Sequence, residues 1–186
     1  MKERLKKDLV QLMSLPGPSG YEDRVRNYLK NELKLIKAET QTDRLGNLVT
    51  SFPGDGPSVM LFAHMDQLGF VVRKIEQDGF LLIERVGGVP EKALPSQAVL
   101  VLVAEGQDIE GVIANKSHHA TEQSEKYQVL PYKKLYIDVG LKNANEVSKA
   151  GIMIGSPIVF TPNSFEMGQN RIAGTSIDDR AGCAVV

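Results

Sequence analysis

The chain has 186 residues, with 22 basic and 23 acidic side chains and a formal net charge of −1. That balance lacks the basic excess by which nucleic-acid and anionic-membrane binders hold polyanions. A single cysteine excludes an internal disulfide framework and suits a reducing compartment, and 42% apolar with 24% charged residues is the balance of a globular protein in water.

The charged start, Met1 to Lys7, leads into no long apolar stretch. Neither a signal peptide nor a membrane-spanning helix is expected, and a cytoplasmic location follows. Residues 3–14 place Leu5, Leu9, Leu12 and Met13 at helical spacing. Pro16-Gly17-Pro18-Ser19-Gly20 ends that helix as a rigid turn. Ser19 with Glu22 reads as a capping box for a second helix, whose apolar face is Val25, Tyr28, Leu29 and Leu33. Strands are predicted over 38–43 and 48–52, around the turn Arg44-Leu45-Gly46-Asn47. Ser58 to Ala63 is a near-continuous apolar run, the pattern of a strand buried on both faces. His64 and Asp66 then fall just past its C-terminal end, where open α/β sheets gather ligands.

From Gly69 to Phe160 the texture is β. Strands are predicted over 70–75, 80–86, 98–103 and 108–114, with Gln77-Asp78-Gly79 as a hairpin signal. A polar loop over 115–128 holds His118 and His119. A strand over 135–140, a short helix over 143–149 capped by Asn143 or Asn145, and a strand over 157–161 follow. Phe165 to Gly168 reads as a turn carrying Glu166, and residues 171–174 return towards an acidic segment. The helix-and-strand texture of 1–66 resumes only near 163. This pattern predicts a small β domain inserted into an α/β domain that is short of the strand–helix units a doubly wound sheet uses.

Two segments carry the chemistry. In Ala63-His64-Met65-Asp66 the spacing of two sends both side chains the same way if Met65 is extended. Imidazole suits Zn²⁺ or Co²⁺, and a carboxylate on the other ring nitrogen fixes the tautomer. The same spacing fits a loop histidine beside a turn-capping aspartate. In Ser176-Ile177-Asp178-Asp179-Arg180-Ala181-Gly182 one of the adjacent carboxylates could bridge two cations about 3.5–4 Å apart. Taken alone, the pair is better explained as acidic residues at a helix N-terminus, where they stabilise the exposed N–H groups. His118 and His119 read as a solvated loop pair, Glu166 as solvated, and Cys183 as a small buried apolar residue. Gly87-Gly88-Val89-Pro90 lacks the ending of a phosphate-binding loop.

Five motifs in order carry a resemblance. They are Gly17-Pro18-Ser19-Gly20-Tyr21-Glu22, Asp43-Arg44-Leu45-Gly46-Asn47, Ala63-His64-Met65-Asp66-Gln67-Leu68-Gly69, Tyr136-Ile137-Asp138-Val139-Gly140 and the 176–182 segment. With them the chain resembles the dinuclear metallo-aminopeptidases that include glutamyl, deblocking and tetrahedral (TET) aminopeptidases, some of which have been called endoglucanases. The resemblance implies a zinc-peptidase-like α/β domain, truncated here, over 1–67 and 163–186. It implies an inserted all-β, barrel-like domain over 68–162 that serves homo-oligomeric assembly.

It further implies two Zn or Co ions and hydrolysis of the N-terminal bond of a short peptide. By position His64 matches a ligand of one metal, Asp178 the carboxylate bridging both, and Asp66 the catalytic-site carboxylate that orients His64. In related enzymes the peptide after the bridging aspartate is cis, which implies the same for Asp178–Asp179. The general-base glutamate and the remaining ligands of the family would all lie downstream of Val186, so the chain alone is expected to be inactive. A non-catalytic oligomerisation module, or the remnant of a pseudo-enzyme, is the alternative reading. A sugar-polymer hydrolase would need two carboxylates about 5–9.5 Å apart. A histidine beside Asp66 suits a metal better.

Overall fold

The computed structural model describes residues 2–104 and 106–186. It divides into two compact units, one made of the chain up to Gln67 with Pro162–Val186, the other Leu68–Thr161.

The first unit opens with α1 (Lys2–Ser14), which buries Leu12 and Met13. Leu5, read as part of that apolar face, is exposed. Helix α2 (Asp23–Leu35) buries Val25. Its N-cap is Glu22, and no side chain caps it. The predicted capping box is therefore not formed. Ser19 lies too far ahead of the first turn, and the Glu22 carboxylate accepts from the Gly20 N–H at 2.7 Å instead. Strands β1 (Thr40–Thr42) and β2 (Leu48–Thr50) pair antiparallel. The Asp43 carboxylate closes their turn by accepting from the Leu45 and Asn47 N–H groups, each at 2.9 Å.

The apolar run 58–63 departs from expectation. It forms no strand, and Val59, Met60, Leu61 and Phe62 are all exposed, Val59 to 82%. A strand exists only where a neighbour completes its ladder. Among the described residues nothing pairs with this run. The one backbone bridge nearby is Pro18 with Gln67, parallel and isolated.

The second unit is a closed antiparallel barrel. Its strands are β3 (Gly69–Ile75), β4 (Leu81–Val86), β5 (Ala98–Val101), β6 (Ile109–Ala114), β7 (Tyr136–Asp138) and β8 (Pro157–Phe160), ordered β3-β4-β7-β6-β5-β8. Closure removes the sheet edges that would otherwise be open to another chain. Alternate residues point inward, so Phe70, Val72, Leu81, Ile83, Ile113 and Ile137 form one buried core. The β3–β4 hairpin turns at Gly79 with φ +90°. A side chain there would place its Cβ 2.3 Å from the Leu141 carbonyl oxygen, so both the backbone and the space require glycine. Helix α3 (Ala144–Lys149) is capped by Asn143, whose side-chain oxygen accepts from the Glu146 N–H at 3.0 Å. Asn143→Ala is expected to lower stability by about 1 kcal/mol, read as a reduced urea midpoint with an unchanged slope.

The chain then returns to the first unit. β9 (Ser164–Met167) and β10 (Arg171–Gly174) form an antiparallel pair. Glu166 thus sits in a strand and not in the predicted turn. It is exposed and paired with Lys6 at 2.6 Å. Last comes α4 (Ile177–Val185), which is kinked at Asp178 and Asp179. Among the described residues no helix is long and apolar enough to cross a membrane.

Candidate functional site

His64, Asp66 and Asp178, three positions the sequence singles out, come together within the first unit. His64 Nδ1 lies 2.9 Å from Asp66 Oδ1, and His64 Nε2 lies 3.2 Å from Asp178 Oδ1. Asp66 Oδ2 accepts a hydrogen bond from the Ser19 hydroxyl. The order is therefore Ser19, Asp66, His64, Asp178. The outer end is open to solvent, the Asp178 side chain being 95% exposed, while Asp66 is 34% exposed.

Local backbone explains how the second segment presents itself. Ser176 takes a left-handed conformation with φ 64°, and the Asp178–Asp179 peptide is cis, matching what the family resemblance implies. The two carboxylates then serve different ends. Asp179 turns back to accept from the Gly182 N–H at 2.9 Å, an N-terminal cap for the helical run that follows. Asp178 is left facing His64.

The electrostatics follow from this order. Burial alone would push the His64 pKa down, but the Asp66 and Asp178 carboxylates outweigh it and hold it above the ordinary histidine value. Burial would raise Asp66, but the Ser19 hydrogen bond and His64 overcome it and hold that carboxylate below its usual range. Each ring nitrogen faces a carboxylate oxygen, Asp66 on one side and Asp178 on the other, and a carboxylate oxygen accepts. Without a cation the imidazole must carry two protons to satisfy both contacts. A metal ion can take the place of the Nε2 proton, while Asp66 keeps the Nδ1 proton in place.

The donor set fits part of a metal site. Two ligands each about 2.0–2.2 Å from a zinc-sized cation, at a near-tetrahedral angle, lie about as far apart as His64 Nε2 and Asp178 Oδ1 do. Among the described residues, however, no cluster of three or more His, Cys, Asp or Glu side chains converges on one point. His118 and His119 lie in the barrel unit, exposed in a short 3₁₀ turn, with ring centroids 5.9 Å apart. Among the described residues no third such donor joins them.

Three residues escape sequence reading. Ser19 has the motif position of a helix cap but bonds Asp66. Cys183 is half-buried, not a filled core position, and its thiol donates to the His64 carbonyl at 3.3 Å. Burial raises its pKa, which keeps it a thiol. Arg180 is completely buried, and burial lowers its pKa to about 10 against the pull of Cys183, Asp66 and Glu22. A buried arginine has no signature in a single sequence.

Comparison with known proteins supplies the wider frame. The sequence profile of the M42 glutamyl aminopeptidase family matches residues 46–186. The lysyl aminopeptidase of Pyrococcus furiosus is 31% identical over 92% of this chain and 50% of its own length. The structure of aminopeptidase APDkam598 from Desulfurococcus kamchatkensis superposes with a TM-score of 0.90 at 35% identity, over 99% of this chain and 50% of the other. A TET1 peptidase of Pyrococcus horikoshii, described as able to assemble into a tetrahedron or a large octahedral shell, gives a TM-score of 0.86 at 29% identity. That match covers 97% of this chain and 53% of the peptidase. The chain spans about half the length of the curated relatives it matches.

Proposed function

The chain belongs to the M42 glutamyl aminopeptidase family, and from that premise we propose that it builds one side of an aminopeptidase metal centre. The observation that carries this reading is His64 held between two carboxylates, Asp66 on Nδ1 and Asp178 on Nε2. His64 would hold one divalent ion through Nε2, and Asp178 would bridge it to a second. Zinc or cobalt bound there would supply Lewis acidity towards a peptide carbonyl and make a neighbouring water more acidic.

The residues of this chain do the positioning. Asp66 accepts the Nδ1 proton, fixes the tautomer and makes the ring a stronger donor. Ser19 holds Asp66 in that orientation. The substrate is a short peptide with a free amino end, cleaved at its first peptide bond. A catalytic zinc ordinarily has three protein ligands, and here two converge. The described residues also place no glutamate beside them as a base. The 186-residue chain alone is therefore expected to release no N-terminal residues from peptides. The barrel unit, with a closed core of its own, is read as the element that joins copies of the chain, which fits a cytoplasmic homo-oligomer with no nucleic-acid or membrane partner.

Calorimetric titration of the purified chain with Co²⁺ tests the reading. The expected result is weak binding of one ion, with affinity that falls as pH drops. The sign follows from competition. The proton on Nε2 must leave before the metal binds. Because the His64 pKa is raised, the loss begins at a higher pH than for an ordinary histidine. Tight binding of two ions would contradict a two-ligand half-site. No binding at any pH would favour a non-catalytic assembly module.

A further inference from the structure

We propose that Arg180 is the positioning residue that locks the His64–Asp66 segment against the 15–18 turn and so keeps His64 opposite Asp178. The proposal rests on the metal-site reading of those residues.

The Arg180 side chain is completely buried. One of its nitrogens, Nη2, donates to the Leu15 carbonyl and to the Gln67 side-chain oxygen, each at 3.3 Å. Gln67, itself nearly buried, follows Asp66 directly, and its own N–H donates to the Gly17 carbonyl at 3.0 Å. Three stretches distant in sequence thus meet at one guanidinium: the end of α1, the residue after Asp66, and α4 two residues past Asp178. Gly17 leaves the room for it. A Cβ there would lie 3.1 Å from Arg180 Nη2 and 2.9 Å from Val25 Cγ2. The same turn carries Ser19, which donates to Asp66. A shift of the turn would therefore disturb Asp66 from two directions.

Stability does not account for this residue. Nε and Nη1 have no hydrogen-bond partner among the described residues. A buried guanidinium with unmet donors is costly, and an apolar side chain of similar length would fill the space with less penalty. What arginine supplies that methionine cannot is a rigid planar donor, able to hold two acceptors from different segments at a fixed separation.

The test uses the 186-residue chain with Arg180→Met, Arg180→Lys and Gln67→Leu, the last removing the acceptor and leaving the arginine. Folding is followed by circular dichroism, the clamp by hydrogen exchange at the Gln67 amide, and the site by Co²⁺ titration. Arg180→Met is expected to speed Gln67 exchange at least about tenfold and to weaken Co²⁺ binding by about 10–100-fold, the range of other groups that orient metal ligands. Arg180→Lys should restore part of both, and Gln67→Leu should reproduce both losses. If Arg180→Met does not fold, Gln67→Leu decides alone. A folded Arg180→Met or Gln67→Leu chain with wild-type exchange at the backbone amide of residue 67 and wild-type Co²⁺ affinity overturns the proposal. So does a lower unfolding midpoint with unchanged Co²⁺ affinity. A wild-type chain that binds no Co²⁺, but whose Gln67 protection disappears in Arg180→Met, keeps the clamp and overturns the metal reading instead.

Discussion

His64→Ala is expected to abolish Co²⁺ binding by the chain, a loss of at least about 100-fold, while the far-UV circular dichroism stays unchanged. The side chain is 56% exposed and fills no core, so its removal costs little packing. Among the described residues it does remove the ring nitrogen that faces Asp178, and a lone exposed carboxylate holds a divalent ion poorly. Asp66→Asn gives the graded comparison. The amide cannot hold the Nδ1 proton as a carboxylate does, and orienting partners of this kind are worth about 10–100-fold in metal affinity. The expected order is therefore wild type, then Asp66→Asn, then His64→Ala, read by calorimetry at one pH above the His64 pKa. Equal affinity for wild type and His64→Ala would place any bound metal elsewhere.

The second large effect belongs to the barrel. Phe70→Ala is expected to cost about 3–5 kcal/mol, a large share of the roughly 5–15 kcal/mol that keeps an ordinary domain folded. Phe70 is completely buried on β3, and its ring meets that of Phe160 edge-on, with centroids 5.7 Å apart and planes at 77°. Closure leaves the surrounding strands little freedom to collapse into the space, since each is held on both sides. Val112→Ala on β6 is the control. Val112 lies on the outward face and is exposed, so a change within about 0.5 kcal/mol is expected. Urea unfolding with hydrogen exchange at Ile113 and Ile137 measures both. A Phe70→Ala midpoint equal to that of Val112→Ala would show that the closed core does not set the stability of this unit.

The barrel strands are legible because each encodes its own pattern. Alternation along β3 and β4, and a glycine at the only turn position that demands positive φ, identify the hairpin without knowledge of its neighbours. The α3 cap is equally local, as Asn143 bonds a residue three positions on. The run 58–63 fails for the opposite reason. Its apolar residues state a preference for burial, but the ladder that makes a strand has to come from elsewhere in the chain. Ser19 fails similarly, because a hydroxyl four residues before α2 could cap a helix or reach a distant carboxylate.

His64, Asp66 and Asp178 stand out in the linear sequence through the ordered motifs that resemble the aminopeptidases, since their spacing alone also fits a loop histidine and helix-capping aspartates. The sequence by itself also determined a β segment set between two helix-bearing segments, since side-chain periodicity is a property of neighbouring residues, whereas closure of its strands into a barrel is a matter of tertiary pairing. Only the tertiary structure decided that Nε2 of His64 faces Asp178 while Asp179 is spent on Gly182, that Ser19 supports Asp66, and that Arg180 is buried beneath Gly17. Apart from the Asp179–Gly182 bond, which spans three positions, each of these joins segments distant in the chain. A hydrogen bond between residues more than a hundred positions apart depends on how the whole chain packs, and no local preference encodes it.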